Sequence, residues 1–130
     1  MQIEQISVFM ENKAGRLARV TDVLSEAGIH IKAMIVTDTT DFGVLRMIVD
    51  DPQKTVRALK NRGFASNITS VSAVELENTP HEIHNILVLL DNAGINVEYM
   101  YAYTQQEQNT TMMIFMSDDT EKTARVLENL

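Results

Sequence analysis

The chain has no cysteine in its 130 residues. That absence excludes a disulfide framework, a thiolate metal site and a thiol nucleophile. It has no run of about 18 uninterrupted apolar residues, so no segment is a candidate membrane span. The start, Met1-Gln2-Ile3-Glu4-Gln5, lacks the basic and apolar regions of a secretory signal, and a cytoplasmic location is the expected default. Positive charge is scarce too. Eleven Lys and Arg face 18 Asp and Glu, for a formal net charge of −7. The basic residues are scattered over several elements, so no nucleic-acid surface is expected. Nor is there a nucleophile elbow, a Gly-rich phosphate loop or a catalytic triad pattern.

What is present is periodicity. Apolar residues make up 45% of the chain, enough for a packed core. Residues 3–11 alternate, with Ile6, Val8 and Met10 on one side, as in a strand with one buried face. Residues 15–27 change to a helical period, with Leu17, Val20, Leu24 and Ala27 on one stripe, and Gly28 closes the helix. Ile29–Thr37 alternates again. A turn leads into a strand over Val44–Val49. Asp51-Pro52 reads as an N-cap with proline at the first helical position, and a helix follows through Asn61. The order is βαββα.

The second half repeats this order. A shift of 66 residues lays Asn12 on Asn78, Val20 on Ile86, Leu24 on Leu90 and Ala27-Gly28-Ile29 on Ala93-Gly94-Ile95. Beyond the hairpin the shift becomes 68, and Asp50-Asp51 meets Asp118-Asp119. Helices after the first and third strands of an antiparallel sheet indicate a split βαβ, ferredoxin-like unit. The fold class expected is therefore α+β: two ferredoxin-like βαββαβ units in tandem, residues 1–70 and 71–130. Phe64–Ile68 would close the first unit and Val71–Leu76 open the second. The second unit lacks its own last strand, and the exposed edge calls for cover from the other unit or from a second subunit.

Strand parity puts Phe9, Val44, Ile48, Met34 and Val36 on the helix-free sheet face, and with them Met100, Met112, Ile114 and Met116. So apolar a face implies packing against the sister unit or a partner chain, most simply in a homodimer. Tyr99, Tyr101 and Tyr103 alternate on one side of a strand, with their rings expected beneath the second unit's helices.

Two candidate sites come from the strand-to-helix turns. In the first, Glu11-Asn12-Lys13-Ala14-Gly15-Arg16-Leu17, Asn12 both donates and accepts, Gly15 permits close approach of a ligand, and the helix start offers N–H groups to a carboxylate. In the second copy, His81 replaces the glycine and Glu82 replaces Arg16, leaving a weaker site at Asn78, His81 and Asn96. His81-Glu82-Ile83-His84 lacks the i, i+4 histidine spacing of a zinc helix, and no metal or other cofactor is called for. Asp50-Asp51 and Asp118-Asp119 precede helices and are explained by capping.

Ser7-Val8-Phe9-Met10-Glu11-Asn12-Lys13-Ala14-Gly15-Arg16-Leu17, Ala27-Gly28-Ile29-His30-Ile31 and Asp41-Phe42-Gly43-Val44-Leu45-Arg46, with their second copies, resemble tandem ACT domains. These are small βαββαβ modules that bind amino acids and regulate metabolism. The resemblance covers almost the whole chain and is close to stand-alone bacterial two-ACT proteins. It implies an effector at an ACT–ACT interface, touching Asn12, Ala14, Gly15, Arg16, Leu17, His30 and Ile31. The function it implies is a non-catalytic regulatory module for a small amino acid, with allosteric regulation of a metabolic enzyme partner. The alternative is a regulatory subunit of an amino-acid biosynthetic enzyme, acetolactate synthase-like, acting through association alone.

Overall fold

The computed structural model describes residues 1–11, 13–37, 42–77 and 79–128. It contains β1 (Gln2–Glu11), α1 (Arg16–Glu26), β2 (Ile31–Thr37), β3 (Phe42–Val49), α2 (Pro52–Asn61), β4 (Ala65–Glu77), α3 (Pro80–Asn92), β5 (Val97–Gln105), β6 (Thr110–Ser117) and α4 (Thr120–Glu128). No described helix is long and apolar enough to cross a membrane. The fold is α+β, in two ferredoxin-like units. One is Glu4–Thr69; the other is Ser70–Leu130 together with Met1–Ile3.

In the first unit the strands lie in the order β2-β3-β1-β4. Ile6 pairs with Met47 and Val8 with Leu45 across the antiparallel β1–β3 ladder. Those side chains share the helix-facing side of the sheet, because residues directly opposite on neighbouring strands share a face. They pack with Val20, Val23 and Leu24 of α1 and Leu59 of α2 in one buried cluster. Leu17, on the same predicted stripe of α1, is 38% exposed and lies outside that core.

The second unit repeats the scheme. Its strands run β5-β6-β4, and Val74, Met113 and Phe115 pack against Ile86, Leu90 and Leu127. β4 is one strand of 13 residues, so the segments expected to close the first unit and open the second are continuous. The edge left by the missing last strand is met from within the chain. Met1 and Ala73 exchange both backbone bonds, at 3.0 Å and 2.9 Å, the pattern of an antiparallel pair.

Two expectations of parity fail for one reason. The ladder shifts register between Ile31 and Ala33 in β2, and again between Val97 and Tyr99 in β5, which are equivalent places in the repeat. Each irregularity turns the rest of its strand over. Met34 therefore sits opposite Met47 and Val36 opposite Leu45, on the helix side of the edge strand rather than on the free face. Met100 packs with the second unit's core. The tyrosines lie on the other side: Tyr99, Tyr101 and Tyr103 pair with Met116, Ile114 and Met112, on the helix-free face and not beneath the helices. Phe9 and Val44 pair directly and share the corresponding face of the first unit.

Candidate functional site

α1 begins without a cap. Gly15 is its N-cap residue, at φ 88°, and it has no side chain to accept from the first turn. No acidic residue stands in that turn either. α2 and α4 are built differently. Asp51 accepts the Lys54 N–H at 3.1 Å, and Asp119 accepts the Lys122 N–H at 3.0 Å. Their neighbours serve the strands: Asp50 Oδ1 accepts the His30 N–H and Asp118 Oδ1 that of Asn96, both at 3.1 Å. The two acidic pairs are thus structural. At the start of α1 the Arg16 N–H donates to the Lys13 carbonyl at 3.2 Å and the Arg19 N–H to that of Gly15 at 3.1 Å, while Gly15 offers no side chain to the N–H groups of Leu17 and Ala18.

A cavity of about 470 Å³ opens where α1 starts. It lies wholly within the first unit, at the end of the sheet where β1 stops, β3 begins and α2 gives way to β4. Its lining includes the apolar Phe9, Phe42, Val44 and Phe64 and the charged Glu11, Arg16, Arg19 and Arg62. The strand pairing puts Phe9, Phe42, Val44 and Glu11 on the helix-free side of the sheet end, while Phe64 packs against the helix-side core. Fold geometry makes this convergence: Glu11 pairs with Phe42 and Phe9 with Val44, so the end of β1 and the start of β3 rise together.

The charges on the rim are unequally engaged. Glu11 holds Lys13 at 2.9 Å. The Lys13 hydrogen bond, the Lys13 charge and then the Arg16 charge keep the Glu11 carboxyl below its ordinary range. Arg62 reaches Glu26 at 2.7 Å and Asp22 at 4.0 Å. Arg16 and Arg19 make no ion pair among the described residues. The cavity is a local excess of positive charge in an acidic chain.

The residues named from sequence are split by this geometry. Arg16 lines the cavity; Ala14, Gly15 and Leu17 form the exposed turn beside it. His30 and Ile31 do not join them. They line a separate hollow of about 370 Å³ at the other end of α1, an 11-residue helix about 16 Å long. His30 is fixed there by Asp50. Asn12 and Asn78 lie outside the described residues. In the second unit His81 and Asn96 are likewise at opposite ends of α3. Among the described residues no group of three or more His, Asp or Glu side chains is placed to hold a metal.

The second turn differs in backbone as well as in sequence. α3 starts at Pro80 and α1 at Arg16, whose equivalent is Glu82, so α3 is two residues longer at its start. Pro80 suits the first helical position, and His81 lies inside the helix where Gly15 stands outside. Glu82 occupies the first turn.

Phe9, Phe42, Arg19, Arg62 and Phe64 were not named as site residues from sequence. They come from β1, α1, β3 and the turn between α2 and β4, with no fixed spacing, and only tertiary structure joins them.

A family model described as an ACT domain pair matches residues 1–129. The chain belongs to this family. Among solved structures, the ACT pair is similar to protein BT0572 from Bacteroides thetaiotaomicron. The two share 37% identity and a TM-score of 0.89, over 99% of this chain and 88% of that one. It is also similar in fold to the regulatory subunit of aspartate kinase from Thermus thermophilus. There the identity is 17% and the TM-score 0.65, over 97% and 91% of the two chains. The Thermus flavus regulatory subunit gives 17% and 0.60, over 99% and 94%. A search of the curated proteins found no match.

Proposed function

We propose that this ACT pair is a non-catalytic regulatory module whose first unit binds a free amino acid at the start of α1. The observation that carries the reading is the cavity of about 470 Å³ that Arg16 lines at a helix start whose N-cap residue makes no side-chain cap bond. A carboxylate there meets bare N–H groups, the positive end of the helix and a guanidinium. Family membership supports the same role.

The second unit is not a matching site in this reading. Helix fills its turn, and Glu82 opposes a carboxylate. Binding in the first unit changes the affinity for a partner, by as much as the ligand's affinity differs between the free and associated states. The partner is a metabolic enzyme or a second copy of the chain. The exposed apolar residues Ile83, Leu87 and Val88 on α3 favour association as part of the function.

Thermal denaturation of the full chain in the presence of each of the twenty amino acids tests the reading. A rise in Tm with one or a few of them at millimolar concentration is the expected result. No shift with any of them would remove the effector role.

A further inference from the structure

The two units differ sharply in charge. Nine of the 11 Lys and Arg fall in Glu4–Thr69 with eight Asp and Glu, and the other unit holds two Lys and Arg against ten Asp and Glu. The formal net charge is therefore +1 on the first unit and −8 on the second. Two helices bring this contrast to the surface. α2 has Lys54, Arg57 and Lys60 and no acidic residue, while α3 has Glu82 and Asp91 and no Lys or Arg. Thr55 and Leu59 are the buried side of α2, and at about 100° per residue Lys54, Arg57 and Lys60 stand on the opposite side, all exposed. None of the three makes an ion pair among the described residues. On α3 the buried side is Ile86 and Leu90, and exposed His84, Leu87, Val88 and Asp91 form an outer stripe at i, i+3, i+4 and i+7.

Duplication shows that the fold itself requires neither face. Where α2 has Lys60, α4 has Glu128. Where α3 has Leu87 and Val88, α1 has Thr21 and Asp22, and Arg62 reaches Asp22 and Glu26. We infer that the two faces are complementary halves of one interface: the outer face of α2 docks on α3 of a second copy of this chain. The aliphatic stems of the α2 cations lie over Leu87 and Val88, and an ammonium head meets Asp91. Each copy carries one face of each kind, so a two-fold axis makes the contact twice and closes a dimer. Pairing α3 with α3 would instead bring two acidic units together. A foreign acidic protein would engage α2 but leave Leu87 and Val88 bare. Of the two partners named above the inference takes the second copy, and it does not depend on an effector in the cavity.

Sedimentation velocity of the full chain, with no amino acid added, tests this. The parent chain is a dimer at micromolar concentration. Lys54→Glu combined with Lys60→Glu weakens the dimer at least about tenfold, and so does Asp91→Lys in a separate chain. All three positions are exposed, and circular dichroism checks that each variant is folded. Mixed in equal amounts, the two variants dimerise again, because one contact is then of the parent kind and the other has its charges exchanged. Glu107→Lys makes the same change of net charge as Asp91→Lys, but in the turn between β5 and β6, and leaves the dimer intact. A monomeric parent would overturn the inference. So would an undiminished dimer in either variant, a mixture that stays monomeric, or an equal loss in Glu107→Lys. Each of these results leaves the effector role standing, since that role is read from amino-acid binding.

Discussion

Gly15 and His81 occupy equivalent positions in the two halves, yet Gly15 stands just outside α1 with φ 88° and His81 lies inside α3. Neither N-cap residue, Gly15 nor Thr79, makes a side-chain cap bond; the difference is that one duplicated turn keeps a left-handed glycine outside the helix, and the other has been wound into it. The pair accounts for the asymmetry between the units better than the charge change from Arg16 to Glu82 alone, because it alters where backbone N–H groups are presented.

The positive φ at Gly15 sets the first prediction. A Cβ built there meets no atom within 4 Å, so a substitution is strained by backbone conformation and not by collision. Gly15→Ala should cost about 1–2 kcal/mol, the penalty of a left-handed residue with a side chain. Urea denaturation should show a lower midpoint with an unchanged slope. A midpoint equal to that of the parent chain would mean that the turn relaxes.

The caps supply a second prediction. Asp51→Ala and Asp119→Ala each remove an acceptor for an N–H in the first helical turn, and each should destabilise the chain by about 1 kcal/mol. Asp51→Asn should lose much less, since asparagine caps nearly as well. Chemical denaturation of the three variants separates hydrogen bonding from charge. An equal loss in Asp51→Asn and Asp51→Ala would assign the effect to the charge.

Glu11 gives a pH-dependent prediction. Its carboxyl is held below the ordinary value of 4.5, first by the Lys13 hydrogen bond, then by the charges of Lys13 and Arg16. A carboxyl depressed on folding stabilises the fold above its unfolded value, and the contribution disappears as pH falls through the folded value. The change therefore lies in the acid range below 4.5. In an NMR titration Glu11 should titrate below 4.5, and Lys13→Met should bring its midpoint back towards that value. No change on replacing Lys13 would contradict the pairing.

Much of this fold was legible in the residue pattern, and the reasons are physical. Ile6 and Val8 on the helix-facing side marked β1 by alternation, although Gln5 and Ser7 beside them are buried too, and the capping aspartates with Pro52 marked the start of α2. Duplication then let each half check the other, down to Thr55 and Thr123, which are buried at equivalent places in α2 and α4. The irregularities in β2 and β5 were not legible. Alternation continues through Ile29, Ile31, Ala33 and Ile35, and only the ladder reveals that the side chains change faces. Of the site residues named from sequence, only Arg16 among the described residues lines the candidate cavity, and there the signal is local. His30 and Ile31 follow α1 in sequence, but helix length carries them to the far end of the unit. Phe42 and Arg62 reach the cavity through tertiary structure alone.

The central claim is that the first turn, and not the second, binds the effector. Isothermal titration of the parent chain, Arg16→Gln and Glu82→Gln with the amino acid that raises Tm most tests it directly. The parent should bind one amino acid per chain. Arg16→Gln should bind at least about tenfold more weakly, a loss of about 1.4 kcal/mol, and Glu82→Gln should match the parent. Two equal sites per chain, or undiminished binding by Arg16→Gln, would contradict the claim.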